Sequence, residues 1–212
     1  IVAHGRSLPN AHHTWIAGDE IYIARVSPSP DTINDPSKYQ FFAGNSSDGS
    51  PVWTSNFTDI KPLIKWNNHC GSVTITYNAP LKRYFMCVTH GYPSLGTFDT
   101  FILEASQITG HYRMVSYLEK FGPQGYFVNI PSKFISADGR RAWLCYSANY
   151  SNDSPGPRFP KYVPDPEGSI YAMCLREFIF LSDLRSNGRK SAFCILKTGF
   201  FELIKVNSEI PI

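Results

Sequence analysis

The chain has 212 residues and a net charge of +3, and only 17% of its residues are charged. Lysine and arginine form no run that could follow a phosphate backbone, and no stretch approaches the ~18 apolar residues of a membrane-spanning helix, so neither nucleic-acid binding nor a membrane span is predicted. Aromatic residues make up 15%, alongside 15 glycines and 16 prolines. This mixture is typical of short β-strands joined by turns.

The first predicted elements lie between residues 14 and 54. Residues 14–17 and 20–26 are rich in β-favouring side chains, and the Gly18-Asp19 pair between them is a hairpin signal. An aromatic run at 39–42 and a short run at 52–54 predict further strands. This part of the chain therefore reads as strands separated by turns.

The same order of strands and turns recurs twice further along the chain. The second copy has predicted strands at 72–77, 83–89, 98–105 and 112–117. The third copy has predicted strands at 126–130, 142–146 and 170–180. No amphipathic helix of useful length is visible, so the predicted fold class is all-β.

Two turns support an internal repeat, because residues 77–86 and 135–144 superpose with an offset of 58 positions (135 − 77). Repeated units of four short strands are typical of β-propeller blades, although ~40–50 residues per blade is more usual. A two-sheet sandwich explains the apolar strands almost as well, and only the repeat favours a propeller. We expect propeller blades over 1–181 and an unassigned C-terminal extension over 182–212.

The motifs at 19–26, 39–44, 69–71, 76–84 and 129–140 together resemble an uncharacterised family of secreted five-bladed β-propellers. That family resembles glycoside hydrolases, and some of its bacterial relatives are endo-D-arabinanases. The resemblance covers residues 16–181 and implies that about three of five blades are present, so the chain is expected to be incomplete. It also implies a site on the propeller axis, lined by the innermost strand of each blade.

Carboxylates are the first candidates for chemistry, because glycoside hydrolysis places two of them across the scissile bond. Those in or beside predicted strands are Asp19, Glu20, Asp99, Glu104, Asp138 and Glu177. Asp19 and Asp138 lie in turns, where aspartate bonds to its own backbone. Glu104 and Glu177 are expected on outer strands, solvated or paired with an arginine such as Arg113 or Arg176. Asp99 is therefore the best-placed catalytic candidate.

Sugar-binding candidates combine rings with polar groups, because sugar C–H faces stack on aromatic rings and sugar hydroxyls need donors and acceptors. The candidates near the start of predicted inner strands are His13, Trp15, His69, Ser72, Tyr126 and Asn129. A structural role is the alternative for the histidines and the aromatic residues. His12, His13 and His69 lack metal-ligand spacing, so no metal site is predicted. The chain has no phosphate-binding loop or nucleophile elbow, so no cofactor is predicted.

Four Asn-x-Ser/Thr acceptor sites, at Asn45, Asn56, Asn149 and Asn152, favour a secreted glycoprotein. The chain begins with Ile1 and shows no leader, so we expect a removed signal peptide or a fragment. The five cysteines lack C-x-x-C spacing and are interpreted as small buried hydrophobic residues. A Cys70–Cys87 or Cys145–Cys174 disulfide stays open, since secreted proteins permit one.

The sequence therefore predicts a secreted carbohydrate-active protein, glycoside-hydrolase-like, that acts on a polysaccharide or oligosaccharide. The alternative is a non-catalytic carbohydrate-binding or structural remnant without a full carboxylate pair, since the blade that often carries an essential aspartate in propeller glycosidases is not visible here. Two axis-facing carboxyl groups ~5–10 Å apart would favour hydrolysis. Aromatic rings and amides without such a pair would favour binding.

Overall fold

The computed structural model describes residues 1–5, 14–92, 97–122, 124–149, 171–182 and 192–196. Its regular structure is mostly β, which confirms the all-β fold class. The strands form three antiparallel sheets, and none of them closes on itself within these residues. The chain divides into two compact units, one formed by residues 1–71 and one that starts at Ser72.

The first unit contains one five-stranded sheet. Its strands are β1 (Val2–Gly5), β2 (Glu20–Arg25), β3 (Gln40–Asn45), β4 (Pro51–Thr54) and β5 (Ile64–Lys65). The order is β1-β2-β3-β4, and β5 pairs with the first two residues of β2. The described residues of this unit also form two four-residue helices and two 3-10 turns: α1 (Thr14–Ala17), α2 (Pro30–Ile33), Pro36–Lys38 and Phe57–Asp59.

The strand predicted at residues 14–17 is wrong, because these residues form the helix α1. Strand β2 pairs instead with β1, in a register that runs from Val2 opposite Ile23 to Gly5 opposite Glu20. The single helical turn buries Ile16 completely and Ala17 almost completely. Burial therefore decides the conformation here, since the β propensity of Trp and Ile is a weak preference that tertiary packing overrides.

The second unit contains two four-stranded sheets, each a meander in chain order. The second sheet of the protein consists of β6 (Val73–Asn78), β7 (Arg83–Tyr92), β8 (Thr97–Ala105) and β9 (Arg113–Leu118). The third consists of β10 (Tyr126–Asn129), β11 (Arg141–Asn149), β12 (Tyr171–Ser182) and β13 (Ala192–Leu196). Because β13 pairs with β12, the third sheet continues into the region that the sequence left unassigned.

The internal repeat corresponds to equivalent strands of these two sheets. Strand β7 begins at Arg83 and β11 begins at Arg141, 58 residues later (141 − 83). Each is the second strand of its sheet and follows a tight turn. The offset read from the sequence therefore relates one sheet to the next.

The second and third sheets pack face to face. Their shared core contains Phe85, Cys87, Ile102, Val128, Leu144, Phe178 and Phe180. The rings of Phe85 and Phe180 are 4.3 Å apart between centroids. Strand β10 lies against β6 and β7, while β13 lies against β9, so first strands meet first strands and last strands meet last strands. Each large side chain buried here contributes about 1.5–3 kcal/mol.

Two polar bonds fix the register between these sheets. The Asn78 side chain is fully buried and donates from Nδ2 to the Gly139 carbonyl at 2.8 Å. Its Oδ1 accepts from the Leu81 backbone N–H at 3.2 Å. On the first strands, the Thr74 hydroxyl donates to the Val128 carbonyl at 2.8 Å. The turn that ends β6 is thereby joined to the turn that precedes β11.

The candidate carboxylates Glu104 and Glu177 form ion pairs with arginines, and the described cysteines are free thiols. Glu104 is 2% exposed and forms an ion pair with Arg113, the arginine expected from the sequence. Glu177 forms an ion pair with Arg141 at 3.9 Å. Neither disulfide forms, because Cys70, Cys87, Cys145 and Cys174 carry reduced thiols. Burial raises the pKa of Cys87 to about 12, so this thiol is unreactive at neutral pH.

Gly139 provides a test of the contact between the two turns. It has φ +72°, and a Cβ added there would lie 2.5 Å from Asn78 Oδ1, whereas Gly49 has φ +83° with open space around it. We expect Gly49→Ala to lower the free energy of unfolding by about 1 kcal/mol from left-handed strain, and Gly139→Ala by about 3 kcal/mol because overpacking adds to that strain. Urea unfolding measures the free energy of unfolding of both variants. Equal decreases would contradict the close contact between Gly139 and Asn78.

Candidate functional site

Strand β10 presents aromatic rings and an amide at the start of the third sheet. Phe127 is 53% exposed, and its ring lies 5.0 Å from that of Tyr126. Tyr126 is half-buried and meets the edge of Phe98 at 6.1 Å. Asn129, also half-buried, ends the same strand. We call Phe98, Tyr126, Phe127 and Asn129 the β10 cluster.

Phe127 is held in a conformation that disfavours large side chains. Its φ is +51°, and the pairing with β11 shifts register between Tyr126 and Asn129. The left-handed region costs an ordinary residue about 1–2 kcal/mol. Such strain persists only where the surroundings impose it, and it gathers at functional sites, where a bulge re-aims a side chain. At this register shift, the Phe127 ring is exposed beside Tyr126.

The connection from β9 to β10 is also tightly shaped. Lys120, Gly122 and Gln124 all have positive φ angles, and Gln124 is buried. A Cβ on Gly122 would lie 2.9 Å from the Tyr146 ring, and a Cβ on Gly125 would lie 2.6 Å from a backbone carbonyl. This connection therefore has little freedom, and it fixes where β10 begins.

Asp99 anchors that connection. It lies on β8, the third strand of its sheet, rather than on the innermost strand. Its carboxylate accepts from the Tyr117 hydroxyl at 2.8 Å and from the Lys120 N–H at 2.7 Å. The Phe121 N–H donates to the Phe98 carbonyl at 2.7 Å beside it. Asp99 is therefore bonded to the connection, and the catalytic role expected from the sequence stays a prediction.

A further carboxylate, which the sequence analysis did not single out, lies near Asp99. Burial, and then the hydrogen bond to Asp99, raise the pKa of Tyr117, and the charge of Glu119 raises it further. Glu119 is exposed and forms an ion pair with Lys120 at 3.0 Å. Asp99 therefore bonds directly to the Tyr117 hydroxyl, whereas Glu119 acts on it only through its charge. A sequence signal was available, because Glu119 follows the predicted outer strand at 112–117 by two residues.

The remaining candidate carboxylates are committed to local bonds. Asp19 accepts from the Asn68 N–H at 2.8 Å, and Asp138 accepts from the Ser136 hydroxyl at 2.6 Å. Glu20 accepts from the Tyr22 hydroxyl, and this bond is the largest cause that lowers the Glu20 pKa. The Asp138 pKa is lowered too. A general acid in a glycosidase needs a raised pKa, and these shifts are in the opposite direction.

In the first unit, an aromatic stack lies on the turn after β5. The rings of Trp66 and His69 are parallel, 4.5 Å apart and inclined by 8°. The turn is held against the start of β2 because the Cys70 N–H donates to the Gly18 carbonyl at 2.7 Å. Trp15 is half-buried and lies on α1, the helix that ends directly before Gly18. The structure therefore places the candidates Trp15 and His69 on adjoining segments.

Two candidates from the sequence remain, Ser72 and His13. Ser72 is 2% exposed, and its carbonyl accepts from the Thr89 N–H at 2.9 Å, so it forms part of the sheet interior. His13 lies outside the described residues. Of the candidates in the second unit, Tyr126 and Asn129 belong to the β10 cluster, and Asp99 anchors the connection that leads to it.

No family model, curated protein or solved structure matches this chain. Among the described residues, no group of three histidine, cysteine, aspartate or glutamate side chains is arranged to hold a metal ion. Within the same part of the chain, every helix is too short or too polar to cross a membrane. The site's own geometry is therefore the basis for a functional proposal.

The anchoring role of Asp99 predicts a local effect. In Asp99→Asn, the uncharged side chain accepts more weakly from the Lys120 N–H, so we expect amide exchange at Lys120 to accelerate about tenfold, equivalent to ~1.4 kcal/mol. Tyr117→Phe is the matched control, because it removes the other donor and keeps the Lys120 bond. Nuclear magnetic resonance measures the exchange rate of the Lys120 amide in both variants. An unchanged rate in Asp99→Asn would show that the carboxylate does not anchor this connection.

Proposed function

We propose that this protein binds an oligosaccharide or polysaccharide through the β10 cluster. The observation that carries this proposal is the exposed Phe127 ring, held at φ +51° beside Tyr126. Sugars present C–H faces to aromatic rings and hydroxyl groups to amides. Phe127 and Tyr126 supply the rings, and Asn129 supplies the amide.

The rigidity of the surrounding connection supports binding. Asp99 bonds to Lys120, and Gly122 and Gly125 pack closely against their neighbours. A surface that is already ordered loses less entropy when a ligand binds. The free-energy cost of the left-handed backbone at Phe127 is then incurred when the protein folds, so the ring is already positioned when a sugar binds.

The local hydrogen bonds and lowered pKa values of the candidate carboxylates favour binding without hydrolysis. Asp19, Glu20 and Asp138 are each bonded locally, and the pKa shifts of Glu20 and Asp138 are downward. Hydrolysis is the second candidate, because Asp99 bonds to the Tyr117 hydroxyl at 2.8 Å and a second carboxylate, Glu119, follows Tyr117 two residues later in the chain. Hydrolysis by this pair requires one of them to carry a proton when the sugar is bound.

We further propose that the three sheets are blades of a β-propeller, as the family resemblance implies. The two successive four-stranded meanders of the second unit support this reading, as does the packing of β10 against β6 and β7 and of β13 against β9. We also propose a secreted location. Asn45 and Asn56, which begin two glycosylation acceptor sites, are exposed in the first unit, where an attached glycan is accommodated without unfolding.

The β10 cluster gives a direct binding test. We expect glycan-array screening of the intact chain to find an oligosaccharide ligand, and calorimetry to show that Phe127→Ala weakens its binding about tenfold, the usual loss when one central ring is removed. Phe134→Ala is the matched control, since Phe134 is an exposed phenylalanine of the same unit. Equal affinities for the two variants would overturn the assignment of the site.

The same ligand separates binding from hydrolysis. We expect no release of reducing sugar from it, because the pKa values of Glu20 and Asp138 are lowered and Asp99 already accepts two hydrogen bonds, from Tyr117 and Lys120. Release that falls at least a hundredfold in Glu119→Gln, with binding retained, would establish the second candidate instead.

A further inference from the structure

The outer face of the third sheet, on the side away from the second sheet, exposes large apolar side chains. Met173 is 75% exposed, Leu175 46% and Trp143 43%. Met173 and Leu175 lie two residues apart on β12, so they share a face. Leu175 is opposite Cys145, which lies two residues from Trp143 on β11, so Trp143 joins that face. We call Trp143, Cys145, Met173 and Leu175 the β12 face.

The internal repeat relates the β12 face to a surface that is buried elsewhere in the protein. The 58-residue offset relates Phe85 to Trp143 (143 − 85) and Cys87 to Cys145 (145 − 87). Phe85 and Cys87 are each 1% exposed, because they belong to the core that the second sheet shares with the third. The β12 face therefore has the positions through which the preceding sheet packs against its neighbour.

The cross-strand partners of these residues repeat as well. Glu104 is opposite Phe85 in the second sheet, and Glu177 is opposite Trp143 in the third. Each of these two carboxylates forms an ion pair with an arginine. The equivalence therefore covers two strands of each sheet, and the β12 face is built to pack against another sheet.

The first unit contains an apolar cavity that suits such a face. The cavity has a volume of about 480 Å³, and its lining includes Ala3, Gly5, Tyr22, Ala24, Phe41 and Phe57. Ala3 is opposite Tyr22 and Ala24 is opposite Phe41, so small and aromatic side chains alternate across the strands. The small residues leave depressions between the rings, into which side chains of a second sheet can interdigitate.

The third sheet already packs against the second through a face of the same kind. Tyr146 and Ala148 lie two residues apart on β11 and belong to the shared core. Tyr22 and Ala24 lie two residues apart on β2. Both β2 and β11 are the second strand in the order of their sheets. The cavity therefore presents residue types against which this protein packs a sheet elsewhere.

The tyrosine hydroxyls of the cavity are already engaged, which favours an apolar occupant. The Tyr22 hydroxyl donates to the Glu20 carboxylate, and the Tyr39 hydroxyl donates to the Ile33 carbonyl at 2.8 Å. A polar ligand would lose its bonds to water here without gaining equivalent ones. Met173 is well suited instead, because a flexible thioether packs favourably against aromatic rings.

We propose that this protein associates head to tail, with the β12 face of one copy packed into the first-unit cavity of a second copy. Met173 and Leu175 enter the cavity, and Trp143 lies at its rim, where the indole N–H stays in contact with water. The two surfaces differ, so each complex leaves one cavity and one β12 face free. Further copies therefore add until the assembly closes into a ring or grows as a filament.

Sedimentation of the intact chain tests the association. We expect the mass to exceed that of a dimer as the concentration rises to about 1 mM, the dissociation constant of a weak complex. Met173→Glu is expected to weaken association at least tenfold, because it buries a charge in an apolar cavity. Ile108→Glu is the matched control, since Ile108 is a 40% exposed side chain elsewhere in the second unit. A monomer at every concentration, or equal weakening by both variants, would overturn the proposal.

A mixture of two variants identifies the surface that the β12 face contacts. Ala3→Leu fills the cavity and keeps the β12 face, whereas Met173→Glu keeps the cavity, and both positions are exposed, so both variants fold. We expect each variant alone to associate at least tenfold more weakly, and the mixture to form one-to-one dimers, because one intact contact remains. Unchanged self-association of Ala3→Leu would indicate a twofold contact between β12 faces and refute the cavity as the partner surface. A mixture without dimers would refute it too.

Discussion

The second unit depends on the packing of one sheet against the next, and the buried Asn78 amide sets the register of that packing. An apolar interface alone tolerates sliding, because the hydrophobic effect has no direction. The bond from Asn78 to the Gly139 carbonyl does have direction, and it forms only where the facing residue lacks a Cβ. With the Thr74 bond to Val128, it sets β10 beside β6. The position of the β10 cluster follows from this alignment.

Much of this alignment is visible in the sequence. The 58-residue offset between two turns relates equivalent strands, because the same turn chemistry recurs where each second strand begins. Period-two alternation and apolar runs locate β6 to β9 closely, since both are local signals. Arg113 was one of two arginines named as possible partners of Glu104, and it forms the ion pair, whereas the burial of Glu104 was not predicted.

The features that the sequence did not show depend on tertiary context. Residues 14–17 have β propensity but form a helix, because one helical turn buries Ile16. The left-handed conformation of Phe127 has no signal in a phenylalanine, a residue that normally avoids it. The hydrogen-bond partners of Asp99 could not be read from the sequence, because Tyr117 and Lys120 come from the following strand and connection. Contacts of this kind exist only once the sheet has formed.

The central claim is that a preformed ring-and-amide surface on β10 binds carbohydrate. Hydrogen–deuterium exchange of the intact chain, with and without its tightest oligosaccharide ligand, tests this claim most directly. We predict slower exchange confined to the β10 cluster and to the connection that Asp99 anchors, at Lys120 and the residues that follow it. Slower exchange confined to the first unit, or none with any oligosaccharide, would contradict it.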